Sequence, residues 1–219
     1  MSPTDPLDRL RGLLRGGDHL SATTTRNGKI VGFGESEGRG RTASGDADDS
    51  GTVTITLVGS SPRGEEGTIQ ACQRLILHLN AHGESWSEAS EVAGTQHIDA
   101  IADSAGTNTG ETLKIQVVRA LTDPGFWKSL GHSGNATLTL SLSECTDILR
   151  KAIEFKAEKI PSDIREDLAL VLDANDIPGL ALDPVAQEFV ARYASWARDQ
   201  GFRGVWVVGP WKEMVNKLS

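Results

Sequence analysis

The stretch HIDAIADSAGTNTGETLKIQVVRA, residues 97–120, decides how this chain is read. It has the pattern of two adjacent β-strands joined by a turn that carries Gly106 and Gly110. Asp99 stands on the first strand, and Lys114, Gln116 and Val118 take alternate positions on the second. Side chains alternate between the faces of a strand, so those three share one face. An Asp and a Gln on neighbouring strands can hold a hard divalent cation through oxygen ligands. The pattern therefore points to metal-dependent phosphodiester chemistry.

Outward from this pair, periodicity predicts the other elements. On the N-terminal side, GEEGTIQACQRLILHLNAHG (64–83) predicts a helix, with Ile69, Cys72, Leu75, Ile76 and Leu79 as its apolar stripe and Gly83 as its stop. ESWSEASEV (84–92) predicts a strand. On the C-terminal side, LTDPGFWKSLGHSG (121–134) reads as a loop with a short helix around Phe126 and Trp127. SECTDILRKAIEFKAEK (143–159) is a helix, with Ser143 or Thr146 as its cap. DLALVLDA (167–174) is apolar almost throughout, as expected of a strand covered on both faces, and GVWVVGP (204–210) is a second one. Between them, DPVAQEFVARYASWARDQGF (183–202) predicts a helix capped by Asp183, with Pro184 in its first turn and Gly201 at its end.

The first 60 residues read differently. DPLDRLRGLLR (5–15) is amphipathic, GKIVGFGES (28–36) and TVTITLVGS (52–60) are strand-like, and the charged, Gly-rich 34–51 predicts a mobile loop or hairpin tip. The expected division is an N-terminal helix and β-hairpin over 1–60 and an α/β core over 61–219. In that core strands follow helices, which predicts an α/β fold with a mixed central sheet flanked by helices.

Composition narrows the function classes. With 219 residues, 38% hydrophobic and 24% charged, the chain can bury one substantial core. It has no apolar run of the roughly 18–20 residues that a membrane span needs. The N-terminal stretch lacks the apolar segment of a secretory signal, so the expectation is a cytoplasmic protein with no membrane association. Cys72 and Cys145 match no metal spacing, and Cys72 is expected as a buried thiol. The net charge of −8 argues against non-specific gripping of nucleic acid as the main task, although a local basic site remains compatible with it. There is no P-loop and no GxSxG, and GFGESEGRG is followed by no periodic helix.

The element order from residue 64 to 174, with Asp99 on the second core strand and Gln116 on the third, resembles the PD-(D/E)XK nuclease superfamily, the restriction-endonuclease-like fold. The resemblance covers about two-thirds of the chain and rests on topology as much as on motif. It implies Mg²⁺- or Mn²⁺-dependent cleavage of DNA or RNA, as in defence or DNA processing. It implies Asp99 and Gln116 as metal ligands, and Glu66 (or Glu65) on the first helix as an assisting carboxylate. The superfamily's lysine, two residues beyond Gln116, is Val118 here. Lys114 on the Gln116 face is the first substitute, and Lys151 and then Lys156 could reach in from the following helix. If no lysine reaches the site, the same fold would serve as a catalytically inactive interaction or sensing module. Association with a second copy or with a protein partner is compatible with either reading.

Each of these residues also has a plainer reading. Asp99 could be a strand-end carboxylate paired with Arg119 or His97, and Gln116 a core amide with its hydrogen bonds met. Lys114 could be a solvated cation, and Glu66 a carboxylate complementing the helix dipole. Asp173 reads first as part of the DANDIPG turn. His97 and His132 have no metal spacing. Trp127, Trp196 and Trp206 are expected as core fillers, with Trp86 and Trp211 as candidate base-stacking side chains.

Overall fold

In a computed structural model, the described residues are 19–23, 32–38, 41–47, 50–59, 66–92, 94, 97–105, 110–120, 124–174, 179–209 and 214–219. The expected helix over 5–15 lies outside them, as do residues 28–31, Glu65 and Trp211.

The centre is a mixed six-stranded sheet. Its strands are β5 (Ser90–Glu91), β6 (Ala100–Asp103), β7 (Thr112–Arg119), β9 (Leu168–Asp173), β10 (Gly204–Val208) and β11 (Val215–Lys217), in the spatial order β11-β10-β9-β7-β6-β5. The strands β7, β9 and β10 run parallel, and the three outer ones are antiparallel to their neighbours. The apolar runs behave as strands covered on both faces. Leu168, Leu170 and Leu172 enter one core cluster while Ala169 and Val171 enter the other. In β10 the same split separates Val205 and Val207 from Trp206 and Val208.

One face is covered by α1 (Glu66–Ala81). Cys72, Leu75, Ile76 and Leu79 are buried there against Leu113, Ile115 and Trp206, with Ile69 partly buried, so the expected stripe forms. Gly83 takes φ +98°, and the helix closes with Glu84 N–H on Leu79 C=O (3.1 Å) and Gly83 N–H on Asn80 C=O (3.3 Å), a Schellman ending. The Asn80 amide then clamps the next segment, donating to Trp86 C=O (2.9 Å) and accepting from Trp86 N–H (2.8 Å). Trp86 is 8% exposed, and its indole N–H donates to Glu84. It is thus core, which corrects its reading as a base-stacking side chain. Only Ser90–Glu91 of the strand expected over 84–92 forms, with Trp86 adding one bridge to Ser104.

The opposite face carries α3 (Leu142–Lys159) and α5 (Gly179–Asp199), which pack on each other. Ser141, not Ser143, caps α3. Its hydroxyl accepts from Glu144 N–H while the Glu144 carboxylate accepts from Ser141 N–H, a reciprocal capping box. Ser143 Oγ instead accepts from Arg192 (2.7 Å). Similarly, α5 starts four residues before Asp183, which accepts from Asn216 instead of capping, and Pro184 lies inside the helix. Only one backbone donor is lost at Pro184, and Leu182, Val185 and Phe189 are buried around it.

Beyond this helical layer lies a second, five-stranded antiparallel sheet in the order β1-β2-β3-β4-β8. Its members are β1 (His19–Thr23), β2 (Gly32–Gly38), β3 (Arg41–Ala47), β4 (Thr52–Gly59) and β8 (Asn135–Ser141). The 34–51 segment, expected as a loop or hairpin tip, holds most of β2 and all of β3, so the N-terminal part is more than one hairpin. Residues 135–141, for which periodicity predicts no element, form β8. That strand follows α2 (Pro124–Ser133) and pairs with β4, placing Ile55 opposite Leu138 and Val53 opposite Leu140. The inner face of β4 and β8 joins the same core as α3, while Thr54–Thr139 and Thr56–Thr137 pair on the outer face. A short α4 (Ser162–Arg165) leads into β9. Among the described residues no helix is long and apolar enough to cross a membrane.

Candidate functional site

Asp99 is built into the ladder just before β6. Its N–H donates to Ile115 C=O (2.9 Å) and its C=O accepts from Val92 N–H (3.3 Å). Two residues earlier His97 adopts φ +70°, a left-handed conformation that non-glycine residues enter at some cost and that turns the chain into β6. Since Ala100 pairs with Ile115, Asp99 faces Gln116 across the two strands.

The two side chains meet. Asp99 Oδ2 accepts from Gln116 Nε2 and from Val117 N–H (2.7 Å). Gln116 Nε2 also donates to Val117 C=O (3.2 Å), and the residue is only 5% exposed. Among the described residues, neither Asp99 Oδ1 nor Gln116 Oε1 takes a hydrogen bond. Gln116 turns Nε2 toward the Asp99 carboxylate, which leaves Asp99 Oδ1 and Gln116 Oε1 as the oxygens of the pair that could meet a hard cation.

Of the lysines, Lys114 does not join this pair: its Nζ lies 3.0 Å from Asp167, at the start of β9. Lys151 is exposed. Lys156 is half-buried on α3, one turn beyond Ile153 on the stripe that faces the sheet. Burial holds its ammonium below the ordinary lysine value, the Asp99 carboxylate pulls in the opposite direction, and Lys159 adds a smaller lowering. The negative charge of Asp99 therefore acts on Lys156. The helical phase of Leu149, Ile153 and Lys156 is the sequence signal that singles out Lys156 over Lys151.

The charge of Asp99 also reaches the α1 side. Burial, then Asp99, then Asp173 push the Cys72 thiol up to about 12. Asp173, at the carboxyl end of β9, lies 3.9 Å from Arg74 of α1, with both side chains mostly covered (16% and 13% exposed). The ion pair is an addition to the sequence reading of Asp173, whose expected DANDIPG turn runs through 175–178, outside the described residues. Glu66 is the first residue of α1, and its carboxylate lies outside the described side chains.

The donor set suits a hard cation that keeps most of its water. Mg²⁺ is commonly held by one or two carboxylates together with water and substrate phosphate oxygens. No cluster of three or more His, Cys, Asp or Glu occurs among the described residues. Comparison with protein-family models, with curated proteins and with solved structures found no match.

Proposed function

We propose that this chain is a metal-dependent phosphodiesterase of the PD-(D/E)XK type, with a restriction-endonuclease-like core, acting on DNA or RNA. The observation that carries the reading is the contact between Asp99 and Gln116, with an open oxygen on each and Lys156 within electrostatic reach. The element order from α1 through β9, with β7 and β9 parallel and β6 antiparallel, supports it.

Asp99 Oδ1 and Gln116 Oε1 would hold Mg²⁺ or Mn²⁺, with Glu66 assisting from α1. When bound, such an ion polarises the phosphate and lowers the pKa of its water. Val117 N–H and Gln116 Nε2 fix the Asp99 carboxylate in one orientation, so its second oxygen is presented without reorganisation. Lys156 supplies the cation that Val118 does not, meeting charge that builds on the phosphate in a half-buried setting where a charge counts for more than in water. This reading gives the cation role to Lys156 and not to Lys114, whose Nζ pairs with Asp167.

The test is cleavage of single- and double-stranded DNA and RNA with Mg²⁺, Mn²⁺ or EDTA. Asp99→Ala and Lys156→Met should each lower metal-dependent cleavage by about 10²–10³-fold, the scale of losing one preorganised charge-stabilising group. Lys114→Met should keep it. Undiminished cleavage by Asp99→Ala, or in EDTA, would remove the assignment. The second reading is a catalytically inactive module for protein interaction or sensing. The net charge of −8 and the single carboxylate at the pair favour it. No cleavage of any substrate and no thermal response to Mn²⁺ would decide for that module.

A further inference from the structure

His78 in the last turn of α1 and His82, the residue just after it, form a side-chain pair that the Asp99 chemistry leaves unused. His78 and His82 are four residues apart on one helical face, with ring centroids 4.2 Å apart and planes inclined by 35°. His82 Nδ1 lies 2.8 Å from His78 C=O. A carbonyl only accepts, so Nδ1 carries the proton and Nε2 of the neutral ring keeps its lone pair. This arrangement, one ring nitrogen donating to a backbone carbonyl and the other left open, is how metal-ligating histidines are oriented. Among the described residues no hydrogen bond holds either ring nitrogen of His78.

We propose that His78 and His82 form a bidentate site for a borderline divalent transition metal, Cu²⁺, Ni²⁺ or Zn²⁺, at the C-terminal end of α1. Metal–imidazole bonds of about 2.0–2.1 Å at a tetrahedral angle need two nitrogens about 3.3 Å apart, a separation within reach of rings this close. Imidazole selects these metals over Mg²⁺ or Ca²⁺, and the order of affinity should place Cu²⁺ ahead of Ni²⁺ and Zn²⁺. Water completes the coordination, since His82 is exposed. The backbone at this turn is already set by the Schellman ending and by the Asn80 clamp on Trp86. Little conformational freedom is therefore left for binding to remove. The negative end of the helix dipole also favours a cation there. Binding would staple the last turn of α1 and so stabilise the helix that covers one sheet face. The site is separate from the Asp99 pair: His78 lies six residues, about 9 Å of helix, beyond Cys72, whose thiol feels Asp99.

The experiment is calorimetric titration and thermal melting of the untagged full chain with CuCl₂, NiCl₂, ZnCl₂ and MgCl₂. The expected result is saturable one-to-one binding in the order Cu²⁺, then Ni²⁺ and Zn²⁺, a higher melting temperature on loading, and Cu²⁺ paramagnetic resonance showing two imidazole nitrogens. His82→Gln and His78→Gln should each weaken binding at least about tenfold, the ordinary cost of losing a ligand or its orienting partner. His132→Gln should bind as the parent does. His82 is exposed, so its variant should fold, and its circular dichroism in the absence of metal should match the parent. Equal affinity in His82→Gln and the parent, or no saturation with any of the three metals, would overturn the site. Because cleavage is not read, failure of the Asp99 assignment leaves this result unaffected.

Discussion

Asp99 is held by a neighbouring backbone N–H and by a buried amide, so its charge is fixed at the level of the sheet and felt on both faces. On the α1 face the group that feels it is Cys72. Burial is the largest cause of that thiol's rise from an ordinary 9.0 to about 12, and burial followed by Glu144 raises Cys145 to the same value. In the unfolded chain both thiols would lose their protons near pH 9, whereas in the folded protein they keep them. The folded state then binds more protons than the unfolded one, so stability is intact below about pH 9 and falls as pH rises towards 12. Urea unfolding of the parent should therefore weaken between pH 8 and 10.5, and the Cys72→Ala/Cys145→Ala variant should lose less over the same interval. An identical alkaline loss in both proteins would assign the effect to other groups. The protonated thiols also predict slow labelling by a thiol reagent at pH 8 until the protein unfolds.

At the scale of elements, the ends of helices depend on groups that periodicity does not reveal. Periodicity predicts the body of α3, but its start depends on which hydroxyl can reach a free N–H. Ser141 does so because β8 delivers it in extended conformation (φ −72°, ψ 158°) immediately before the first turn. Ser143 is already inside that turn, where its hydroxyl serves Arg192 of α5. Ser141→Ala should cost about 1 kcal/mol, the usual value of an N-cap hydroxyl, measured as a drop in unfolding free energy. Ser143→Ala should cost less, as it removes only an exposed contact. A larger loss from Ser143→Ala would return the cap to that residue. In α5, Pro184 looks like a first-turn residue, yet the helix runs through it, because Leu182, Val185 and Phe189 bury enough apolar surface to offset one missing backbone hydrogen bond.

For the molecule as a whole, the outer sheet is continuous with the core. Val53 and Ile55 of β4 are 0% and 1% exposed and belong to the cluster that contains α3 and α5. On the next strand, β8 has β4 as its only strand partner among the described residues. A chain beginning at residue 61 would lose both side chains, worth roughly 1.5–3 kcal/mol each in burial, and would bare β8 as an unpaired edge. Such a chain should lose cooperative unfolding in urea or aggregate, while the full chain unfolds in a single transition. A sharp transition in the shortened chain would show that the inner layers stand alone.

The local pattern of the sequence determined the buried strands β9 and β10, the stripe and Gly83 stop of α1, the body of α3, and the opposition of Asp99 and Gln116. Each of these rests on alternation or helical spacing within a few residues, and side-chain burial follows that spacing directly. Only the tertiary structure decided that Lys156 feels the charge of Asp99 and that Lys114 pairs with Asp167, a residue distant in sequence just before β9. The same holds for the polar 34–51 and 135–141 segments. Their β conformation comes from backbone pairing with neighbouring strands and, in β8, from one apolar face laid on helices far away in the chain. Pairing between distant segments leaves little trace in local composition, because the partner that satisfies each backbone group is not its neighbour in sequence.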